Sequence, residues 1–519
     1  MPSIAGILVA TALAQVPPPC LTHLATHDSG RFMQSASEIA ARSPKGDALL
    51  VIDAARGLVE LAMSADGALT QRSIISMPRA NSVSVHGDLV AVACAAPKPG
   101  DAGVVHFLDR DLEPIATVAV GVGPDMVTFT PDGRRVLVAN EGEPSTDGLI
   151  DAPGSVSIID VSAGARIATV ETVGFHGFDP QAEALAKRGV HLALRHVPLS
   201  VQAEPEYIAC SPDGTLAFIG LQEIAAVAVL DLASGQITAL LPLGTKDFSR
   251  PGAGLDPNDR DGGAKIAPHP VRGLVQPDAI ACFEHGGALW LVTANEGEER
   301  EQGSFKEGVR WGAATRSPGA PLAPELDRLI VSRVASDADG DGMLDQPVAF
   351  GGRSISLWRY VPATGDASPR LELGWDSGDA FERLVAERHP ASFNADLDAT
   401  PWADGRSDAK GPEPEGFAIG MVDGKRLGVV GLERSHGIVV IDLTDPTMPR
   451  VIDHVTRCDP TVDLATAAKD PAVLKAAGDL APEGVLFIPA DRNPTKRPLV
   501  VTCNEVSGTT TVWAIGLAK

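Results

Sequence analysis

Five times along this chain a proline and an acid open an apolar strand, a turn follows, and a second strand closes on glutamate. The copies start at Pro124-Asp125, Pro205-Glu206, Pro277-Asp278, Pro414-Glu415 and Pro482-Glu483. Their second strands end at Glu141, Glu223, Glu296, Glu433 and Glu505. The turns between them carry Pro-Asp-Gly twice, His285-Gly286-Gly287 and Asp423-Gly424-Lys425, which are hairpin signals. A third strand ending near Asp follows at 155–160, 227–231 and 438–443, and a weaker fourth strand follows in most copies. Repeats of this kind cannot bury their apolar faces alone and must stack on one another. Two looser copies begin at Glu38 and Ser82. Seven repeats of four antiparallel strands predict an all-β fold, a seven-bladed β-propeller with loop insertions at about 173–203, 243–275, 297–350 and 377–412. An N-terminal strand near His23–His27 is expected to close the ring beside the last C-terminal strand, which removes the sheet edge.

In an antiparallel hairpin the start of the first strand and the end of the second lie at one edge. The expected pairs are therefore Asp125 with Glu141, Glu206 with Glu223, Asp278 with Glu296, Glu415 with Glu433 and Glu483 with Glu505. All five should crowd one mouth of the channel. Two carboxylates about 5 Å apart repel by roughly 3 kcal/mol at an effective dielectric near 20, so several such pairs need compensation. Bound cations, neighbouring arginines or raised carboxylate pKa values can provide it; carboxylates that only cap turns are the plainer alternative.

Charge limits the partners. The 519 residues carry a formal net charge of -24, which repels nucleic acid and anionic membrane surfaces and makes cations the natural counter-species. No run approaches the length of a membrane span. The short apolar stretch ending at Ala12-Leu13-Ala14 is read as a signal peptide over 1–14, with one propeller domain over 15–519 and a secreted or periplasmic location. None of the six cysteines forms a C-x-x-C pair, and Cys94, Cys210, Cys282 and Cys503 fall inside apolar strand patterns. The chain has no P-loop, G-x-S-x-G elbow or dinucleotide fingerprint.

A second acidic feature is separate from the repeats. Asp337, Asp339, Asp341 and Asp345 stand at positions 1, 3, 5 and 9 of "DADGDGMLD" with glycine at 6, a spacing that wraps oxygen ligands around Ca²⁺. Val348 holds position 12, so the loop is not a full EF-hand. The stretch "LDPNDRDGG" around Asp256 is a weaker version.

The ordered set "VGPDMVTFTPDGRRVLVANEGEPSTDG", "LDPNDRDGG", "QPDAIACFEHGGALWLVTANEGEERE", "GGRSISLW", "RSDAKGPEPEGFAIG", "GLERSHGIVVIDLTDP" and "NEVSGTTTVWAI" resembles the choice-of-anchor I domain family, from about residue 28 onward. The resemblance implies an exported β-propeller, and some family members carry alkaline-phosphatase or phytase-like names. The chain departs from the pattern at "LQEIAA", at Ser82 in an acid position, and in running only to Lys519, from which a freely soluble, unanchored protein is expected; a monomer is expected as well.

These readings give a calcium-binding propeller acting as a metal-dependent phosphoester hydrolase on a small phosphoester, or a non-catalytic calcium-stabilised module for a surface ligand. Glu296, Glu433, Asp278 and Glu415 are the candidate catalytic carboxylates, with Arg434 or Arg353 stabilising developing charge. Asp125, Glu141, Glu206, Glu223, Glu483 and Glu505 join the Asp337 loop as candidate metal ligands. Calcium is the expected ion, and a second divalent cation or an iron ion beside it is a further candidate.

Overall fold

The computed structural model describes residues 20–365, 367–397, 401–464 and 470–517. The signal peptide expected over 1–14 lies outside them. Among the described residues, seven antiparallel sheets have four strands each. Six span residues 40–76, 80–122, 124–174, 205–242, 280–376 and 414–456 in turn. The seventh joins three strands of 482–515 to the N-terminal strand Leu21–Asp28, which pairs with Thr509–Ile515 as the closure argument expects.

The middle strands are continuously apolar because both of their faces are covered. Ala48–Asp53, Gly437–Asp442 and Leu499–Asn504 are buried at every position. One hydrophobic cluster fills each space between consecutive sheets. Ala91 and Phe107 meet Val127 and Val136 between the second and third, for example, and Leu49 and Val59 meet Val501 and Val512 between the first and seventh. Fourth strands such as Leu69–Ser76 are largely exposed, as outer strands should be. The first strands pack one on the next around the molecule, and Pro482–Ile488 packs back on Ala40–Arg42. This is β-propeller architecture.

Glycine permits two of these inner contacts. A Cβ on Gly416 would lie 1.7 Å from the Glu483 carbonyl oxygen, and one on Gly484 would lie 2.1 Å from that of Glu38. Both glycines directly follow the acid of a Pro-Glu opening, so the sixth, seventh and first sheets approach through bare backbone.

Long connections run over 175–204, 243–279, 296–353 and 377–413, close to the expected insertions, and a further one, unanticipated from the sequence, runs over 457–481. Each leaves from the end of a second or fourth strand and returns at the start of a third or first. Antiparallel topology puts all of those ends at one edge, the edge that carries the acids. The insertions therefore gather over the acid end. They contain the helices Ala182–Lys187, Leu199–Gln202 and Ala380–Arg388 and several two- or three-residue strands.

Candidate metal and ligand site at the acidic mouth

A β-bulge sits at four of the acids that open a first strand, Asp125, Glu206, Glu415 and Glu483. Pairing starts at Pro124 opposite Asn140, Pro205 opposite Leu221, Pro414 opposite Leu432 and Pro482 opposite Asn504, and the register then slips. The acid falls inside the bulge, and the second-strand glutamate falls one or two residues past the ladder. A bulge bends the strand and re-aims its side chains. The carboxylates consequently gather in threes that cross from sheet to sheet, where regular pairing predicts isolated twos.

Within each group the ligand atoms lie within 4.8 Å of one another: Glu141, Glu206 and Glu223; Glu38, Glu483 and Glu505; Asp278, Glu296 and Glu415; Glu296, Glu413 and Glu433. Asp125 lies beside Glu141, whose pKa it raises, without joining a group of three among the described residues. Ser82 replaces an acid in the second sheet and accepts a hydrogen bond from the Val127 amide at 3.2 Å. The second sheet thus lacks the carboxylate that opens the first strand in the other repeats.

Burial, then mutual repulsion, pushes most of these carboxyls up. Glu38 rises to about 7 and Asp125 to about 6. Glu433 rises to about 8, through burial and then the neighbouring Glu413. Glu141, Glu206, Asp278, Glu415 and Glu483 stand well above the ordinary range for the same two reasons. Glu223 does so through burial and then Glu204. The Oε2 atoms of Glu206, Glu223 and Glu415 are sealed from solvent without a hydrogen-bond partner. Buried oxygens of this kind are costly unless a proton or cation joins them.

One arc is compensated from within. The Lys410 ammonium lies 2.6 Å from Glu296, 3.1 Å from Glu413 and 3.5 Å from Glu298. Arg406 donates to Glu413 at 2.8 Å, and Arg434 lies 3.6 Å from Glu413 and 3.0 Å from Glu433. Burial alone would raise Glu413, but Lys410, Arg406 and Arg434 outweigh it and hold its carboxyl far below the usual range. Arg434 thus meets the candidate carboxylates. Arg353 is placed elsewhere: it is 1% exposed, and its two Nη atoms donate to the carbonyls of Asp256, Ser407 and Ala409 and to Glu382. It ties connecting segments together.

The group Glu141, Glu206 and Glu223 borders a cavity of about 380 Å³ that is also lined by Glu204, Glu298 and Arg300. Arg300 pairs with Glu204. Sequence reasoning passed over Glu204 and Glu413, although both carry one signal: each is the first residue of Glu-Pro-Glu. The first glutamate takes an arginine or lysine, while the second faces its fellow acids.

At the surface, Asp337, Asp339 and Asp345 form a further group of three, and Asp341 stands outside it. Asp337 accepts the amides of Gly340, Asp341 and Gly342, and Asp345 accepts that of Ala338 and the Ser317 hydroxyl. In the "LDPNDRDGG" stretch, Asp259 is bound by both ends of the Arg328 guanidinium, at 2.7 and 2.6 Å. Buried Asp256 accepts the Asn258 and Lys265 amides. Among the described residues no helix is long and apolar enough to cross a membrane.

The model of the choice-of-anchor I domain matches residues 38–446, which carry the first six sheets up to the third strand of the sixth. The chain belongs to the choice-of-anchor I domain family. Two curated proteins are similar to it. A mesenchyme-specific cell surface glycoprotein of Strongylocentrotus purpuratus is 26% identical over 53% of this chain and 40% of its own length. Gigasin-3a of Magallana gigas is 28% identical over 40% of this chain and 70% of its own length. The match thus spans about two-fifths of the sea-urchin glycoprotein. Among solved structures, a Kuenenia stuttgartiensis hydrazine synthase chain aligns with TM-score 0.47 at 11% identity, over 93% of this chain and 97% of that one. A β-propeller domain from Myceliophteria thermophila aligns with TM-score 0.44 at 12% identity, over 95% and 99%.

Proposed function

We propose that this member of the choice-of-anchor I domain family is an exported, seven-bladed propeller that holds divalent cations, calcium first, at its acidic mouth and hydrolyses small phosphoesters with them. The observation that supports this most is the convergence of Glu141, Glu206 and Glu223 beside an open cavity, with two buried carboxylate oxygens lacking any partner. Three carboxylates suit a hard cation that takes oxygen ligands. A bound cation would supply polarisation of a phosphoryl oxygen and an activated water. The chain's part is to fix the ligands on rigid strand ends and to cover them with the insertions. The Asp337, Asp339 and Asp345 loop is proposed as a separate, structural calcium site.

A second reading has its own support. Lys410, Arg406 and Arg434 already neutralise one arc, and a relative is a cell surface glycoprotein. A calcium-stabilised binding module needs no more than that. Elemental analysis of the purified protein and a phosphoester assay with calcium, manganese and iron separate the two. Bound metal together with activity that Glu223→Gln abolishes supports the enzyme. Metal without turnover leaves the binding module, and no metal at all removes both. For the surface loop, chelator should lower the melting temperature, and Asp339→Ala should remove part of that sensitivity.

A further inference from the structure

The two acidic turns are near copies, Asn140-Glu-Gly-Glu-Pro-Ser145 and Asn295-Glu-Gly-Glu-Glu-Arg300, and only the second ends in a base. Arg300 is 4% exposed and lines the same cavity as Glu141, Glu206 and Glu223. Its Nη1 is paired with Glu204, and its Nη2 lies 3.5 Å from the Asp151 carboxylate, too far for more than a loose ion pair. Neither Nη2 nor Nε has a hydrogen-bond partner. Arginine donors are rarely left in this state when buried, because their lost hydration is not repaid. The position is held from behind: the Arg300 amide donates to Glu307 Oε2 at 3.4 Å, and Glu307 Oε1 lies 2.7 Å from His191 Nε2. The side chain is therefore seated with its Nε and Nη2 edge unused as a hydrogen-bond donor.

We infer that the cavity is a cation-dependent oxyanion site, in which a phosphoryl group binds between a divalent cation on Glu141, Glu206 and Glu223 and the unused edge of Arg300. This rests on the metal-binding reading above. A tetrahedral phosphoryl group can give one oxygen to the cation and another to the guanidinium, whose N–H geometry suits it. The lining glutamates outnumber Arg300, so an anion is repelled until a cation offsets part of that charge and offers it a direct positive partner. Cation must bind first, and by linkage the anion must tighten the cation. Among the described residues, the cavity of about 500 Å³ beside Leu21–Asp28 has no group of three carboxylates to hold a cation, and its Arg31 and Arg457 lie 3.3 and 3.1 Å from Asp53 and Asp479.

Titration calorimetry with phenylphosphonate, a non-hydrolysable phosphoryl oxyanion, tests the site at sub-millimolar calcium. The wild type should bind it with calcium and not with chelator. The double variant Arg300→Gln/Glu204→Gln removes both members of the buried pair without stranding either charge. It should keep its calcium affinity and bind phenylphosphonate about tenfold or more weakly, as loss of a charge-assisted contact implies. Removing Glu204 alone would favour an anion, so the loss belongs to Arg300. Arg300→Lys, which leaves Glu204 paired, should also weaken binding. Unchanged affinity in these variants, or binding without calcium, overturns the oxyanion site. Calcium bound with no phenylphosphonate overturns it and leaves the metal reading intact, whereas a wild type that binds no calcium overturns both.

Discussion

Lys410 shows how single residues decide whether so many acids can share one mouth. Burial works against its ammonium, yet Glu296, Glu413 and Glu298 outweigh that penalty and hold its pKa well above the ordinary value. Lys410→Met keeps the aliphatic stem and deletes the charge. It leaves Glu413, which is buried, with only Arg406 and Arg434. Breaking a buried ion cluster from one side typically costs about 3–5 kcal/mol, and urea denaturation should show a loss of that order. A loss under about 1 kcal/mol would mean that water, rather than Lys410, solvates these carboxylates. The sequence shows Lys410 as a base three residues before Glu413. It gives no sign that Lys410 reaches Glu296 in another sheet, because that contact depends on the path of the 377–413 insertion. The second glutamate of Glu413-Pro-Glu415 was legible as the ring acid because it repeats elsewhere. The first was not, since only Glu204 shares its position.

Strands were the most legible elements, because a doubly covered strand must be an apolar run and a hairpin must have a turn. Even the closing strand Leu21–Asp28 follows from the need to hide an edge. What pattern could not supply was the bulge at Asp125, Glu206, Glu415 and Glu483, where carboxylates expected in pairs gather in larger groups across neighbouring sheets. Bulges leave little trace in alternation, although the glycine of Pro414-Glu-Gly416 and Pro482-Glu-Gly484 is a partial one. Gly416→Ala tests how tightly these inner strands must meet. A methyl group cannot stand 1.7 Å from the Glu483 carbonyl, so the sixth and seventh sheets must part slightly. Overpacking of this kind costs about 1–3 kcal/mol, readable as a lower denaturation midpoint. An unchanged midpoint would show that the axis is loose enough to absorb the methyl group.

Across the whole molecule, the acid end makes stability depend on pH in a direction opposite to that of most proteins. Glu38, Asp125 and Glu433 titrate at about 7, 6 and 8 in the folded chain. The same groups titrate near about 4 when unfolded. Between those limits the folded state holds more protons than the unfolded one, so stability falls as pH rises. These carboxyls contribute fully below their unfolded values and lose that contribution as pH passes about 6 to 8. Glu413 works the other way, since its depressed pKa stabilises above its unfolded value and is lost in acid. Metal-free protein should therefore be most stable at mildly acidic pH, and its melting temperature in chelator should drop from pH 5.5 to pH 8. Calcium competes with protons for the ionised oxygens, and a ligand at a hundred times its Kd adds about 2.7 kcal/mol. Its effect on the melting temperature should consequently be much larger at pH 8 than at pH 5.5. A melting temperature in chelator that stays flat over this range would mean that the ring is already balanced by its own bases. An equal calcium effect at both pH values would place the ion in the surface loop of Asp337, Asp339 and Asp345, away from the buried carboxyls whose protons it would otherwise have to displace.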